Sequence, residues 1–181
     1  ILFDKTREET LHYCSYVAEI LSDLRVELDA SDKSPGWKFA EHELRGVPLR
    51  LEVGPRDMEA DQVTLVRRDT SEKRPVLVAD LPRVAKETLD LVQEELYCQA
   101  LAFREEHTFR ADSLAELAGG LEERRGFYRA PWCGREACEE EVKQKTKATI
   151  RLLPFEQPEE RGSCLVCGKK ARWEALFARA Y

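Results

Sequence analysis

Cys133 and Cys138, then Cys164 and Cys167, form two close pairs in a chain of 181 residues. Each pair can present two thiolates to one side of a tight turn, and two such turns complete a tetrahedron around one zinc ion. Gly134 and Gly168 each follow a candidate ligand, and glycine permits the turn that aims backbone amides at sulfur. Four thiolates need neither a histidine nor a carboxylate to complete the set. The chemistry implied is a closed structural site, not a catalytic one. The alternatives are disulfides, which a reducing compartment disfavours, or unrelated buried thiols, which seldom fall into two such pairs. Cys14 and Cys98 lie on apolar helical faces and read as small core residues.

Little else in the sequence does covalent chemistry. There is no glycine-rich phosphate loop and no Ser or Cys nucleophile with a base beside it. His12, His42 and His107 are scattered on helical segments among charged neighbours, and carboxylates are too abundant to single out an acid–base pair. By its own residues the chain is a binding module. Hydrophobic residues make up 43% and charged residues 35%, the balance of a globular protein. No apolar run reaches the ~20 residues of a membrane span, so no membrane partner and a cytoplasmic location are expected. The formal net charge of -6 opposes wholesale clamping of nucleic acid, and Glu139–Glu141 directly after Cys138 opposes a zinc-ribbon DNA binder.

The elements that must position these residues follow from periodicity. Ile1–Phe3 reads as a short strand, and the absence of Met before it is the expectation of a piece from a longer polypeptide. Thr6-Arg7-Glu8-Glu9 reads as a capping box. Leu11, Cys14, Val17, Ala18, Leu21 and Leu24 then fall at helical spacing, and Val26–Leu28 resumes as a strand, giving a β-α-β unit. Ser34-Pro35 offers a cap and a first-turn proline for a helix that Gly46 stops. Leu49, Leu51 and Val53 alternate as one face of a strand. Gly54-Pro55 turns, Val63–Val66 returns, and Val76–Val78 adds a short strand. Asp80-Leu81-Pro82 opens a long helix with Leu81, Ala85, Leu89, Val92, Leu96 and Phe103 on one stripe. The fold class expected is α/β: a small mixed sheet flanked by helices over residues 1–107, then a smaller α+β zinc-containing domain over residues 108–181.

The stretch Gly36 to Arg50, followed by Glu52-Val53-Gly54-Pro55-Arg56-Asp57 and Val63 to Thr70, resembles the anticodon-binding domain of prolyl-tRNA synthetases of the archaeal and eukaryotic type. The tail continues the resemblance through Cys133/Cys138, Thr146–Thr149, Pro154-Phe155, Cys164–Gly168 and the ending Phe177-Ala178-Arg179-Ala180-Tyr181. The resemblance implies a class II aminoacyl-tRNA ligase, homodimeric, whose catalytic domain precedes this segment and there uses ATP and Mg2+. This chain would bind the anticodon loop of tRNA(Pro), hold the structural Zn2+ and tuck the Tyr181 carboxylate against that catalytic domain. The competing reading is a non-catalytic zinc-containing tRNA-binding or interaction module, which the sequence upstream of Ile1 would distinguish.

A proline anticodon carries two adjacent guanines. Each presents O6 and N7 to a guanidinium, and N1–H and N2–H to a carboxylate. By resemblance Glu43, Arg50, Arg56 and Asp57 occupy the positions that bind them. Alternation places Arg50 opposite Leu49 and Leu51, and the turn after the strand carries Arg56 and Asp57. Lys38 and Arg67 are weaker candidates, for phosphates. Between Lys33 and Arg74 nine Lys/Arg face eight Asp/Glu, a balance suited to reading base edges more than to clamping phosphates.

Overall fold

The computed structural model describes residues 6–180. The expected strand Ile1–Phe3 and the terminal Tyr181 lie outside the described residues. The chain divides into two compact units, Ile1–Cys98 and Gln99–Tyr181.

The first described element of unit 1 is helix α1 (Arg7–Ile20), with Thr6 at its N-cap. The capping box does not form. The Thr6 hydroxyl is buried and has no hydrogen-bond partner, because its backbone leaves the chain short of the extended geometry that aims a cap side chain at the helix amides. Val26–Leu28 forms no strand. Val26 and Leu28 stay exposed in a segment without regular structure, and Glu27 pairs with Arg45. Helix α2 (Pro35–Leu44) matches its signals closely. Ser34 Oγ accepts the Trp37 amide, and Pro35 takes the first turn. Gly46, at φ +84°, ends the helix: its amide donates to Glu43 and the Val47 amide to His42, closing both carbonyls of a Schellman motif.

Strands β1 (Leu49–Glu52), β2 (Gln62–Arg67) and β3 (Lys73–Leu77) form an antiparallel sheet in that order, with helix α3 (Pro55–Glu59) between the first two. Pro75 can sit in β3 because, among the described residues, this is an edge strand. The register sets Leu51 against Leu65 and Val63 against Val76. That face packs with Val17, Leu21, Val78, Leu81 and Ala85 into the core of unit 1. Helix α4 (Leu81–Glu106) buries Leu81, Ala85, Thr88 and Val92, after which the expected stripe leaves the core: Leu96 and Phe103 are exposed. Cys98 is exposed as well, contrary to its reading as a core residue, while Cys14 is half-buried against the core.

In unit 2, β4 (Thr108–Arg110) and β5 (Phe127–Trp132) are parallel and joined by helix α5 (Leu114–Glu123), so the one β-α-β crossover of the described residues lies in this unit. Helix α6 (Glu136–Thr146), β6 (Ala148–Leu152) and β7 (Trp173–Arg179) complete a sheet of order β4-β5-β7-β6. Tyr128 and Phe177, directly paired, form the centre of its core with Leu117, Leu121, Val142 and Leu165. The Tyr128 ring lies so close to Gly120 of α5 that a Cβ there would stand 2.5 Å from Cε1. Gly120→Ala is therefore expected to destabilise the fold by about 1–3 kcal/mol. Gly119→Ala, which meets nothing within 4 Å, should be neutral or stabilising by up to ~1 kcal/mol through helix propensity. Thermal melts of both variants check the contrast.

Candidate functional site

The four cysteines come from three places in unit 2. Cys133 follows β5, Cys138 lies in the first turn of α6, and Cys164 and Cys167 flank a turn before β7. That turn is held by the Cys164 amide on the Lys169 carbonyl and the Gly168 amide on the Cys164 carbonyl. Gly134 at φ +84° and Gly168 at φ +68° adopt the left-handed backbone the turns demand. The four sulfurs lie within 4.8 Å of one another, with Cys133–Cys138 at 3.6 Å and Cys133–Cys167 at 3.8 Å. A tetrahedral zinc with bonds of about 2.3 Å spaces its sulfurs at about 3.8 Å, whereas a disulfide needs about 2.05 Å. All four are free thiols, so the donor set fits a tetrathiolate metal and no disulfide.

The local electrostatics are prepared for thiolates. Burial opposes ionisation of Cys133, but the Arg135 guanidinium, whose Nε donates to its sulfur at 3.4 Å, and the Arg135 backbone bring the thiol down to about 6. Cys167 is also lowered, first by the Lys169 backbone. Cys138, behind them, is pushed up to about 12 by burial and by hydrogen bonds to Cys133 and Cys167. The thiolate is the ligating form, so a cation held here would displace that proton too. Such an ion would supply a cross-link between β5, α6 and the turn before β7.

The anticodon candidates lie in unit 1. Residues directly opposed across a strand pair share a face, so the register Arg50↔Val66, Glu52↔Thr64 and Val66↔Lys73 puts Arg50, Glu52, Thr64 and Lys73 together on the side away from the core. Helix α2 borders this face. Its Glu43 Oε1 accepts Arg50 Nη1 at 2.5 Å, and the Arg50 guanidinium lies 3.9 Å from the centre of the Phe39 ring. Glu43 and Arg50 are thus brought into direct contact. Arg56 and Asp57 sit on helix α3, not on an open turn. Arg56 is exposed and has no ion-pair partner among the described residues. Asp57 does not project freely: its Oδ2 accepts the Gly54 amide at 2.9 Å, and its Oδ1 faces Thr64 and Gln62 at 3.5 Å. Through Thr64 it borders the same sheet face as Arg50.

Lys38 and Arg67 are taken up inside the fold. Lys38 Nζ donates to the Asp29 carbonyl at 2.9 Å and lies 3.5 Å from its carboxylate, tying the preceding loop to α2. Arg67 is 5% exposed and is held by Asp69 and Glu95, so neither side chain is free to meet a phosphate. Sequence reasoning missed Glu52, Lys73 and Phe39. The signal for Glu52 was present: it is two residues from Arg50 in an alternating strand and must share its face.

Comparison with known proteins fits both halves of this geometry. Residues 1–88 match a family described as an anticodon binding domain, and residues 114–181 match one described as prolyl-tRNA synthetase, C-terminal. A proline–tRNA ligase of Natranaerobius thermophilus is 48% identical over 181 residues, covering 98% of this chain and 37% of its own length. The chain belongs to the prolyl-tRNA synthetase family. Two further proline–tRNA ligases agree, one of Lachnoclostridium phytofermentans at 44% identity (97% of this chain, 37% of its own) and one of Rubrobacter xylanophilus at 52% (87% and 33%). The chain thus spans about a third of the length of the curated relatives it matches. Within prolyl-tRNA synthetase it carries the anticodon-binding domain and the C-terminal domain with its cysteine cluster.

Proposed function

We propose that unit 1 reads the two adjacent guanines of the proline anticodon, in a cytoplasmic, homodimeric ligase whose catalytic part lies outside this chain and joins proline to tRNA with ATP and Mg2+. Unit 2 holds a structural zinc ion through Cys133, Cys138, Cys164 and Cys167. The reading is carried by the juxtaposition of Glu43 with Arg50 on a sheet face bordered by Asp57, with Arg56 next to Asp57 on α3, in a segment of the anticodon-binding family. These residues supply the two complementary pieces of guanine recognition. A guanidinium donates to O6 and N7, and a carboxylate accepts from N1–H and N2–H. Anticodon bases, being single-stranded and able to splay, offer both edges.

Arg56 gives the sharpest test because no protein group competes for its side chain among the described residues. Arg56→Ala should weaken binding of the cognate anticodon stem-loop by about 1–3 kcal/mol, the worth of a bidentate base contact. A loop whose guanines are replaced should lose much less. Equal losses on both loops, measured by fluorescence anisotropy, would reassign Arg56 to a phosphate.

A further inference from the structure

The Arg50 guanidinium is constrained on three sides. Glu52 Oε1 accepts its Nε at 3.0 Å, Glu43 accepts its Nη1, and its Cζ lies over the Phe39 ring, 3.9 Å from the ring centre. The N–H groups left without a partner are on the two terminal nitrogens, the pair that a fork needs to meet two acceptors on one base edge. Of the two carboxylates, Glu43 is exposed on α2, while the Glu52 side chain is 15% exposed and rooted in β1 beside Arg50. Glu52 is in turn held by Lys73 from β3, whose Nζ lies 3.1 Å from Oε1 and 3.4 Å from Oε2. The chain Lys73–Glu52–Arg50 therefore crosses the sheet face and fixes the rotation of the guanidinium from its buried end.

We infer that Glu52 is a positioning residue for guanine recognition: it locks Arg50 with its paired donors facing the O6/N7 edge, without itself touching RNA. The inference rests on the anticodon reading above. Its physical content is preorganisation. A long flexible cation loses rotamer freedom on binding unless the fold has already restricted it, and a fork held at Nε is left only its bidentate edge. Glu43 can then exchange between Arg50 and a guanine N–H without releasing the arginine, because Glu52 keeps hold of it.

The test uses the 181-residue chain with a labelled proline anticodon stem-loop, a second loop carrying 7-deazaguanine, which lacks N7, and a third with the guanines replaced. In the unaltered chain 7-deaza substitution should raise Kd about tenfold, one bidentate contact being worth that much. Glu52→Met, which removes the acceptor but keeps the volume, should raise Kd for the natural loop about tenfold and erase most of the 7-deaza penalty. Glu52→Gln, which retains an acceptor for Nε, should restore both. Added to Arg50→Lys, Glu52→Met should cost nothing more, since it acts through Arg50. A Glu52→Met protein that melts normally yet keeps the full 7-deaza penalty would overturn the inference, as would full additivity with Arg50→Lys. If the unaltered chain binds the guanine-free loop as tightly as the natural one, the anticodon reading itself falls, and this positioning role with it.

Discussion

Cys164→Ser should abolish stoichiometric zinc binding and unfold unit 2. Cys164 is 3% exposed and belongs to the core as much as to the ligand set, together with Cys138 and the adjoining Leu165. The turn it opens has little regular structure of its own. It is held to the rest of the unit by the Leu165 amide on the Pro131 carbonyl and the Leu114 amide on the Leu165 carbonyl. Structural zinc in such sites contributes ~10–16 kcal/mol, comparable with or above the whole stability of a small domain. Removing one thiolate leaves the other three crowded around a weakened site, and the turn carrying Leu165 is then held to β5 only by its amide on the Pro131 carbonyl and by the packing of Leu165. Trp132 and Trp173, paired across β5 and β7 beside the cluster, should report the loss in fluorescence. A strong chelator added to the unaltered chain should give the same change. Full zinc occupancy with unchanged melting in Cys164→Ser would reject the cross-link.

The cysteine site was legible because it depends on residue type and spacing, which a sequence displays directly. The same holds for α2, where Ser34, Pro35 and Gly46 each solve a local problem of an unsatisfied helix end, and for β1, where Leu49 and Leu51 keep strict alternation. Readings failed where tertiary packing decided. Val26-Glu27-Leu28 has the alternation of a strand over three residues, too few to distinguish a strand from an extended loop without a partner. The stripe on α4 runs past Val92 because helical periodicity shows which face is apolar but not where the neighbouring core ends. At the candidate RNA interface the residue types were legible by resemblance, but their local employment was not. Asp57 is partly engaged in capping α3, and Lys38 is committed to Asp29. These are contacts made at distances in sequence, or in directions, that a linear pattern does not encode.

Arg67 is the most consequential of these cases, and its alternation with Val63 and Leu65 already puts it on the core side of β2. There it donates Nε and Nη2 to Asp69 at 3.1 and 2.6 Å and Nη2 to Glu95 of α4 at 2.5 Å, fastening the β2–β3 hairpin to the long helix. Arg67→Ala should lower the melting temperature by at least about 10 °C, because breaking a buried ion pair strands the surviving charge. The stranded group is Asp69, whose side chain is 5% exposed, whereas Glu95 can turn to water. The double change Arg67→Met with Asp69→Asn should recover much of the loss by removing that charge and refilling the space. The sign with pH follows from Asp69, whose pKa is held below the ordinary carboxylate value chiefly by its hydrogen bond to Arg67. A depressed pKa in the folded state stabilises above the unfolded value of about 3.9 and is lost as pH falls through the folded one. Because the unfolded value is common to both proteins, the stability gap between the unaltered chain and Arg67→Ala should be full at neutral pH and shrink as pH falls toward the depressed pKa of the paired Asp69. A gap that stays constant across that range would mean that the lost packing of the arginine stem, not the stranded carboxylate, accounts for the destabilisation.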